Sequence, residues 1–262
     1  MTKGIDVSRH QGKIDWKKVK GDNIDFAILR AGYGNEASQK DEQFDKNYAG
    51  CKENNIYTGA YLYSYAMNPD EARQEVETCI DIIQGRKFEY PIYFDIEDKS
   101  QLALSGSILQ RITAAFGDTL EAAGYWVGIY SYKSFLEANF TPDFLARYAI
   151  WVAHTEVVRT NFKHKFGIWQ YSHKGSVNGI DTDVDMNYCY TEYPEIMESA
   201  GLNGFSDVSD DIYAEHIVLK NESLWSIAKK YLGNGGKYTE IKQFNDLGLD
   251  TIYEGQILKI PL

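Results

Sequence analysis

Cysteine is scarce. Cys51, Cys79 and Cys189 are the only three in 262 residues, too widely spaced for a disulfide framework or a metal knuckle. Buried free thiols are expected, and none sits in a nucleophile motif, which excludes a Cys-His hydrolase. The five histidines, His10, His154, His164, His173 and His216, lack any ligand spacing, so neither a metal nor another cofactor is expected. Basic charge is also short: 27 Lys and Arg against 38 Asp and Glu leave a net charge of −11. With no Lys/Arg-rich run to offset it, a nucleic-acid partner is not expected. No apolar run approaches the ~20 residues of a membrane span, so no membrane insertion is expected. The opening MTKGIDVSRHQG has no apolar h-region. The expectation is synthesis in the cytoplasm without a signal peptide.

Aromatic residues, by contrast, are plentiful at 14%, with 20 Tyr, 12 Phe and 5 Trp. More than half of these belong in a core, but tyrosine and tryptophan pair a flat apolar face with a polar tip, which suits sugar binding. Acids are concentrated at one place above all. The run PIYFDIED (91–98) is apolar and then ends in three carboxylates. On a strand, side chains alternate faces, so Asp95 and Glu97 share one face roughly 7 Å apart and Asp98 points away. Two like charges in a partly buried site push one of them to keep its proton.

Short apolar runs alternate with helical patterns over the first 200 residues. Strands are expected at 4–7, 26–30, 57–65, 90–95, 126–130, 149–152, 167–171 and 184–188. Between them, 41–54, 69–83 and 107–123 carry apolar residues at helical spacing, and Pro69-Asp70-Glu71 is a good helix start. The alternation predicts an α/β fold: a parallel sheet with crossover helices, closed as an eight-stranded irregular (β/α) barrel with helices thin or absent after the later strands. In a closed barrel the first and last strands are neighbours, which brings Asp6 towards Asp185. Asp6, Asp95, Glu97 and Asp185 then converge on one mouth, ringed by Tyr33, Tyr63, Tyr65, Tyr130, Trp151 and Trp169. For any one acid, a solvated or capping role is the better reading; four together point to a glycosidase cleft.

The texture changes near residue 198. Residues 199–211 are rich in Gly, Ser and Asp without periodicity and read as a linker. Residues 212–262 then form a compact βααβ pattern. Ser223 is placed to cap its first helix, and Leu224, Ile227, Ala228 and Tyr231 form that helix's buried stripe.

Residues 1–198 resemble the family 25 glycoside hydrolases, the muramidase-type lysozymes of phages, bacteria and fungi. The matching segments are GIDVSRHQGKIDW, FAILRAGYG, TGAYLYSY, PIYFDIED, YWVGIYSY, IWVAH, FGIWQYS and VDMNY, in that order. The tail is similar to a LysM module, a unit that recognises glycans containing N-acetylglucosamine; ESLWSIAKKYLG, YTEIKQFNDL and DTIYEGQILKIP carry the likeness. Two departures stand out: Tyr63 lies where many relatives have histidine, and Asn221-Glu222 replaces the usual Gly-Asp of a LysM module.

The resemblance implies hydrolysis of the β-1,4 bond between N-acetylmuramic acid and N-acetylglucosamine, with peptidoglycan strands as partner. It implies Glu97 as general acid, Asp95 as the second acid of the pair, and Asp6 and Asp185 as the other cleft carboxylates. Asn221, Glu222, Ser223, Leu224 and Ile252 are the implied glycan contacts of the module, through which the chain could also self-associate. Asp95 and Glu97 lie on one strand face, hence on one side of the scissile bond, so Asp95 is a poor nucleophile. Substrate assistance with net retention is the better expectation. A phage or prophage endolysin, acting on the wall after release, is expected; a bacterial autolysin is the alternative. The rivals in activity are a wall-binding barrel without catalysis and another hexosaminidase, such as a chitinase.

Overall fold

The computed structural model describes residues 1–205, 213–245 and 247–261. The chain divides into two compact units, Met1–Ser206 and Asp207–Leu262.

In the first unit the order is β1 (Thr2–Val7), α1 (Trp16–Gly21), β2 (Phe26–Tyr33), α2 (Phe44–Glu53), β3 (Tyr57–Tyr63), α3 (Pro69–Ile83), β4 (Ile92–Asp95), α4 (Gly106–Ala122) and β5 (Val127–Tyr132). Then come α5 (Lys133–Asn139), α6 (Pro142–Leu145), β6 (Ala149–Ala153), β7 (Ile168–Gly175), β8 (Val184–Cys189) and α7 (Tyr193–Ala200). The strands close into a barrel in sequence order, β8 pairing back onto β1. Helix α3 starts where its sequence says it should: the Asn68 side chain accepts from the amides of Asp70 and Glu71, with Pro69 in the first turn.

The eight-stranded irregular barrel is as expected, and its irregularity includes one reversed strand. Strands β1 to β7 pair in parallel, but β8 is antiparallel to both neighbours. Residues 176–183 alone join β7 to β8, too short a connection for a parallel crossover, which takes about a dozen residues or more. The reversal has a functional consequence. Asp185, near the start of β8, sits level with Asp6, near the end of β1, and the two are register partners.

Alternate residues fill the barrel. Phe26, Ile28, Tyr93, Tyr130, Trp151 and Ile168 pack inside. Gly4 and Gly128 make room for them: a Cβ on Gly4 would run into the Phe26 ring and one on Gly128 into the Tyr93 ring. The opposite faces of the same strands pack outward against α2, α3 and α4 through Leu29, Leu62, Phe94, Phe116 and their neighbours. Cys51, Cys79 and Cys189 are buried and free.

Residues 199–205, expected to open a linker, belong to the barrel unit. Helix α7 runs through Ala200, and Asn203 is fully buried behind it. Its side chain accepts from the Trp126 amide at 2.7 Å and donates to the Tyr90 carbonyl at 2.8 Å, while its own carbonyl accepts from Phe88 N at 3.0 Å. These bonds tie α7 under strands that lie 80 to 110 residues earlier in sequence, roughly, which local composition does not reveal. The rest of that linker, 206–211, and residue 212 of the module lie outside the described residues. Asn203→Ala strands two buried backbone groups and puts alanine at φ +55°. The expected cost is about 2–4 kcal/mol, read as a fall of roughly 5–10 °C in the melting temperature of the barrel; an unchanged melting curve would contradict this role.

The second unit is a two-stranded antiparallel sheet of β9 (Tyr213–Ile217) and β10 (Ile257–Pro261), with α8 (Leu224–Tyr231) and α9 (Tyr238–Phe244) between. Ser223 caps α8 by accepting from Ser226 N. Leu224, Ile227, Ala228, Ile241, Leu258 and Ile260 form its core, with Tyr231 packed against it. Among the described residues no helix is long and apolar enough to cross a membrane.

Candidate active site

The barrel mouth is built from strand ends. Asp95 is the last residue of β4, 3% exposed, and its Oδ1 is buried without a hydrogen-bond partner. Extended pairing continues past the strand: Ile96 N donates to the Tyr130 carbonyl at 3.1 Å and Ser131 Oγ to the Ile96 carbonyl at 2.6 Å. That continuation carries Glu97 to the same cavity as Asp95, although β4 itself ends two residues earlier. Glu97 Oε2 is likewise buried and unpartnered within the protein. Buried carboxyl oxygens without partners are rare enough to require an explanation, and a substrate supplies one.

Asp98 leaves this line. It caps the short helix Lys99–Ala103, accepting from Ser100 N at 2.9 Å and Ser100 Oγ at 2.6 Å, and it accepts from Tyr63 Oη at 3.0 Å. Partial burial works to raise its pKa, but these hydrogen bonds prevail and hold it below the usual carboxylate range.

Of the other two acids, Asp6 is held by polar side chains inside the barrel, with Asp185 opposite it on β8. Asp6 Oδ2 accepts from Gln170 Nε2 at 3.0 Å and Asn187 Nδ2 at 2.8 Å. Gln170 Oε1 accepts from Tyr130 Oη at 2.9 Å, and Asn187 Oδ1 from Trp151 Nε1 at 2.8 Å. Because the tryptophan N–H can only donate, it orients Asn187, and Asn187 then presents its NH₂ to Asp6. Burial, then the charge of the neighbouring Asp185, raises the Asp6 pKa well above its ordinary value, opposed by the Asn187 and Gln170 hydrogen bonds, and burial raises that of Asp185.

Burial comes first for the catalytic candidates as well. It pushes Glu97 up to about 7, with help from the charges of Asp185 and Asp98. It also raises Asp95 well above its ordinary value, helped by Glu97 and Asp6 and opposed by the Arg30 guanidinium. Glu97 lines two adjoining cavities. One, of about 350 Å³, contains Asp6, Asp95, Asp185 and Trp151. The other, of about 770 Å³, is lined by Tyr132, Phe135, Leu102 and Asn139.

The expected aromatics divide. Tyr130 and Trp151 form the cavity floor, and Tyr63 stands between the cavities. Tyr33 and Tyr65 line a side extension rather than the acid cluster. Trp169 is not in the mouth, and that expectation is corrected. It alternates with Gln170, which points inward, so Trp169 faces the outer core, packing on Tyr171 and Tyr188 and donating to the His154 carbonyl at 2.9 Å.

In the second unit, Leu224 is 2% exposed and part of the core, so its side chain has no face for a glycan. Glu222 accepts from Leu219 N at 2.8 Å and bonds His216 Nε2 at 2.6 Å; Ser223 is the helix cap. Asn221 is exposed with φ +68°, and Ile252 packs half-buried on the core.

Gln170, Asn187, Arg30, Tyr61 and Tyr132 complete the site without having been picked out in the sequence. A signal existed for three of them: Arg30, Gln170 and Asn187 are polar residues inside apolar strand runs, two residues from other inward positions. Among the described residues, no group of three or more His, Cys, Asp and Glu is arranged to hold a metal ion.

Residues 5–180 match the family Glycosyl hydrolases family 25, and residues 216–261 match the LysM domain. The chain is 32% identical over 192 residues to the uncharacterized protein YegX of Escherichia coli O157:H7, covering 70% of this chain and 68% of that one. It is 27% identical over 188 residues to an autolytic lysozyme of Clostridium acetobutylicum, covering 71% of this chain and 55% of the relative. Among solved structures, the modular autolysin LytC of Streptococcus pneumoniae, in complex with a synthetic peptidoglycan ligand, superposes with a TM-score of 0.64 at 31% identity. That match covers 72% of this chain but only 46% of LytC, so the chain spans about half of that autolysin's length. The barrel that brings these carboxylates together thus belongs to glycosyl hydrolase family 25, and the chain carries a LysM domain after it.

Proposed function

We propose that the barrel is a muramidase that cuts the β-1,4 bond between N-acetylmuramic acid and N-acetylglucosamine in peptidoglycan, with Glu97 as its general acid. The observation that carries this reading is the position and state of Glu97: an unpartnered carboxyl, raised to about 7, in the wall between two cavities that can hold sugars on either side of a bond.

The chemistry then follows. Glu97 gives its proton to the leaving glycosidic oxygen as the C1–O bond breaks. The muramic residue's own acetamido oxygen attacks C1 from the opposite face and forms a cyclic oxazolinium. Asp95 Oδ1 accepts the acetamido N–H, whose positive charge grows as that ring closes. Water then opens the ring at C1, giving its proton to the Glu97 carboxylate, and the anomeric configuration is retained. The Asp6–Asp185 pair and its amide partners hold the floor and add negative field.

Glu97 must be protonated and Asp95 ionised to act. The expectation is that kcat/KM falls about tenfold per pH unit above an apparent pKa near 7, and falls again in acid, where Asp95, raised above its ordinary value, takes up its proton. Asp185→Asn removes a charge that raises Glu97 and should move the alkaline limb towards lower pH. A pH–rate profile of both proteins is the test; an activity that rises through pH 7 to 9 would exclude Glu97 as the acid.

The LysM domain would concentrate the enzyme on its insoluble substrate. The layout suits a phage or prophage endolysin reaching the wall after release from the cytoplasm. Culture lysis that depends on a co-expressed pore-forming protein would support it, and lysis without one would favour an exported autolysin.

A further inference from the structure

The cleft is not electrically uniform. Its centre is acidic, yet the cavity of about 340 Å³ beside it, reached past Tyr63, is lined by Arg9, His10, Arg30, Tyr33, Tyr63 and Tyr65. Two guanidiniums converge there on one ring, with Arg9 Cζ 5.9 Å and Arg30 Cζ 6.0 Å from the centre of Tyr33. The two cations differ in what balances them. Arg30 Nε donates to the buried Asp41 at 2.7 Å. Its Nη2 lies 2.7 Å from the same oxygen, so the Arg30 charge is balanced by Asp41. The Arg9 backbone amide also donates to Asp41, at 3.0 Å, which fixes where the residue stands. Its guanidinium forms no ion pair among the described residues. The result is one uncompensated cation, Arg9, beside a guanidinium held by Asp41 and three tyrosines at one end of the cleft, in a chain of net charge −11.

Neutral sugar hydroxyls and acetamido groups do not need such a site. A carboxylate does, because a guanidinium meets it with two parallel charge-assisted bonds. We propose that this cavity binds a carboxylate carried by the muramic residue of the strand, and that Arg9 is the residue that makes the enzyme prefer carboxylate-bearing glycan. This rests on the muramidase reading and adds a substrate feature to it. The carboxylate has two possible sources with the same chemistry: the free lactyl group of a muramic residue without peptide, or the acids of an attached stem peptide.

Soluble glycan strands freed of phosphate polymers separate these cases. One preparation keeps its stem peptides and one is stripped to the lactyl acid, and each is compared with a counterpart whose carboxylates have been converted to amides. The wild-type kcat/KM for at least one acid form should exceed that for its amide by roughly tenfold, the worth of one charge-assisted hydrogen bond. The preference should shrink at high salt, since Arg9 is exposed. Arg9→Gln should bring the ratio close to one by raising KM for the acid form with kcat little changed, and Arg9→Lys should keep part of the preference. A preference with stripped strands assigns the lactyl group; a preference with peptide-bearing strands alone assigns the stem. A wild-type ratio near one, or a ratio that survives Arg9→Gln, overturns the proposal. A wild-type enzyme that cuts none of the preparations overturns the muramidase reading instead.

Discussion

Glu97→Gln should abolish lysis while leaving wall binding in place. The amide keeps the size of the side chain and its position between the two cavities, but it has no proton to give. Loss of general-acid catalysis alone is worth about 10²–10⁴ in rate, and here the same group also receives the proton from water in the second step, so a loss of at least ~10³ in kcat is expected. KM should change little, because on the proposed reading the ground-state sugar contacts are made by Tyr63, Tyr130, Trp151 and the cavity walls, which the substitution leaves in place. Turbidity loss of a Gram-positive wall suspension reads the rate, and co-sedimentation with the same walls reads binding. A variant that clears the suspension at a normal rate would remove Glu97 from the mechanism. A wild-type protein that sediments with walls and never clears them would make the barrel a binding domain.

Asp95→Asn is the second large effect, and it tests a different step. In the empty site, burial together with Glu97 and Asp6 favours a proton on Asp95. An acetamido N–H placed on the unpartnered Oδ1, with Arg30 behind, reverses that preference, because a hydrogen bond donated to the charged form stabilises it. The carboxylate then faces the nitrogen just as its positive charge develops. An asparagine offers a neutral oxygen in the same place and loses that differential stabilisation, about 10²–10³ in kcat. The residual product should still be the retained anomer, which proton NMR of early time points can read. A rate within a factor of about ten of wild type, or an inverted product from the wild-type enzyme, would refute substrate assistance through Asp95.

Much of this site was legible because its residues break local rules where they stand. PIYFDIED places two acids on one face of a strand that is otherwise apolar, and both reach the barrel cavity with unpartnered oxygens. Helix α3 was legible because Pro69 and the two acids after it act within its first turn; the Asn68 cap is what the structure adds. What was hidden depends on contacts distant in sequence. Period-two alternation says that Trp169 and Gln170 face opposite ways, but not which one faces inward; the hydrogen bonds from Gln170 to Asp6 and Tyr130 decide it. Asn203 sits in a Gly- and Ser-rich stretch that reads as a linker, and its partners at Tyr90 and Trp126 are invisible to local composition. The reversed β8 was hidden because β7 runs on to Gly175, past the expected 167–171, which shortens the connection to residues 176–183, and that reversal is what sets Asp185 beside Asp6.

The most direct test of the central claim is the identity of the reducing ends released from purified peptidoglycan. After digestion and borohydride reduction, mass spectrometry should find muramitol at the new ends, appearing with the wild-type enzyme and absent with Glu97→Gln. New ends that are glucosaminitol would make the enzyme an N-acetylglucosaminidase, and no new ends of either kind would contradict glycoside hydrolysis of this polymer altogether.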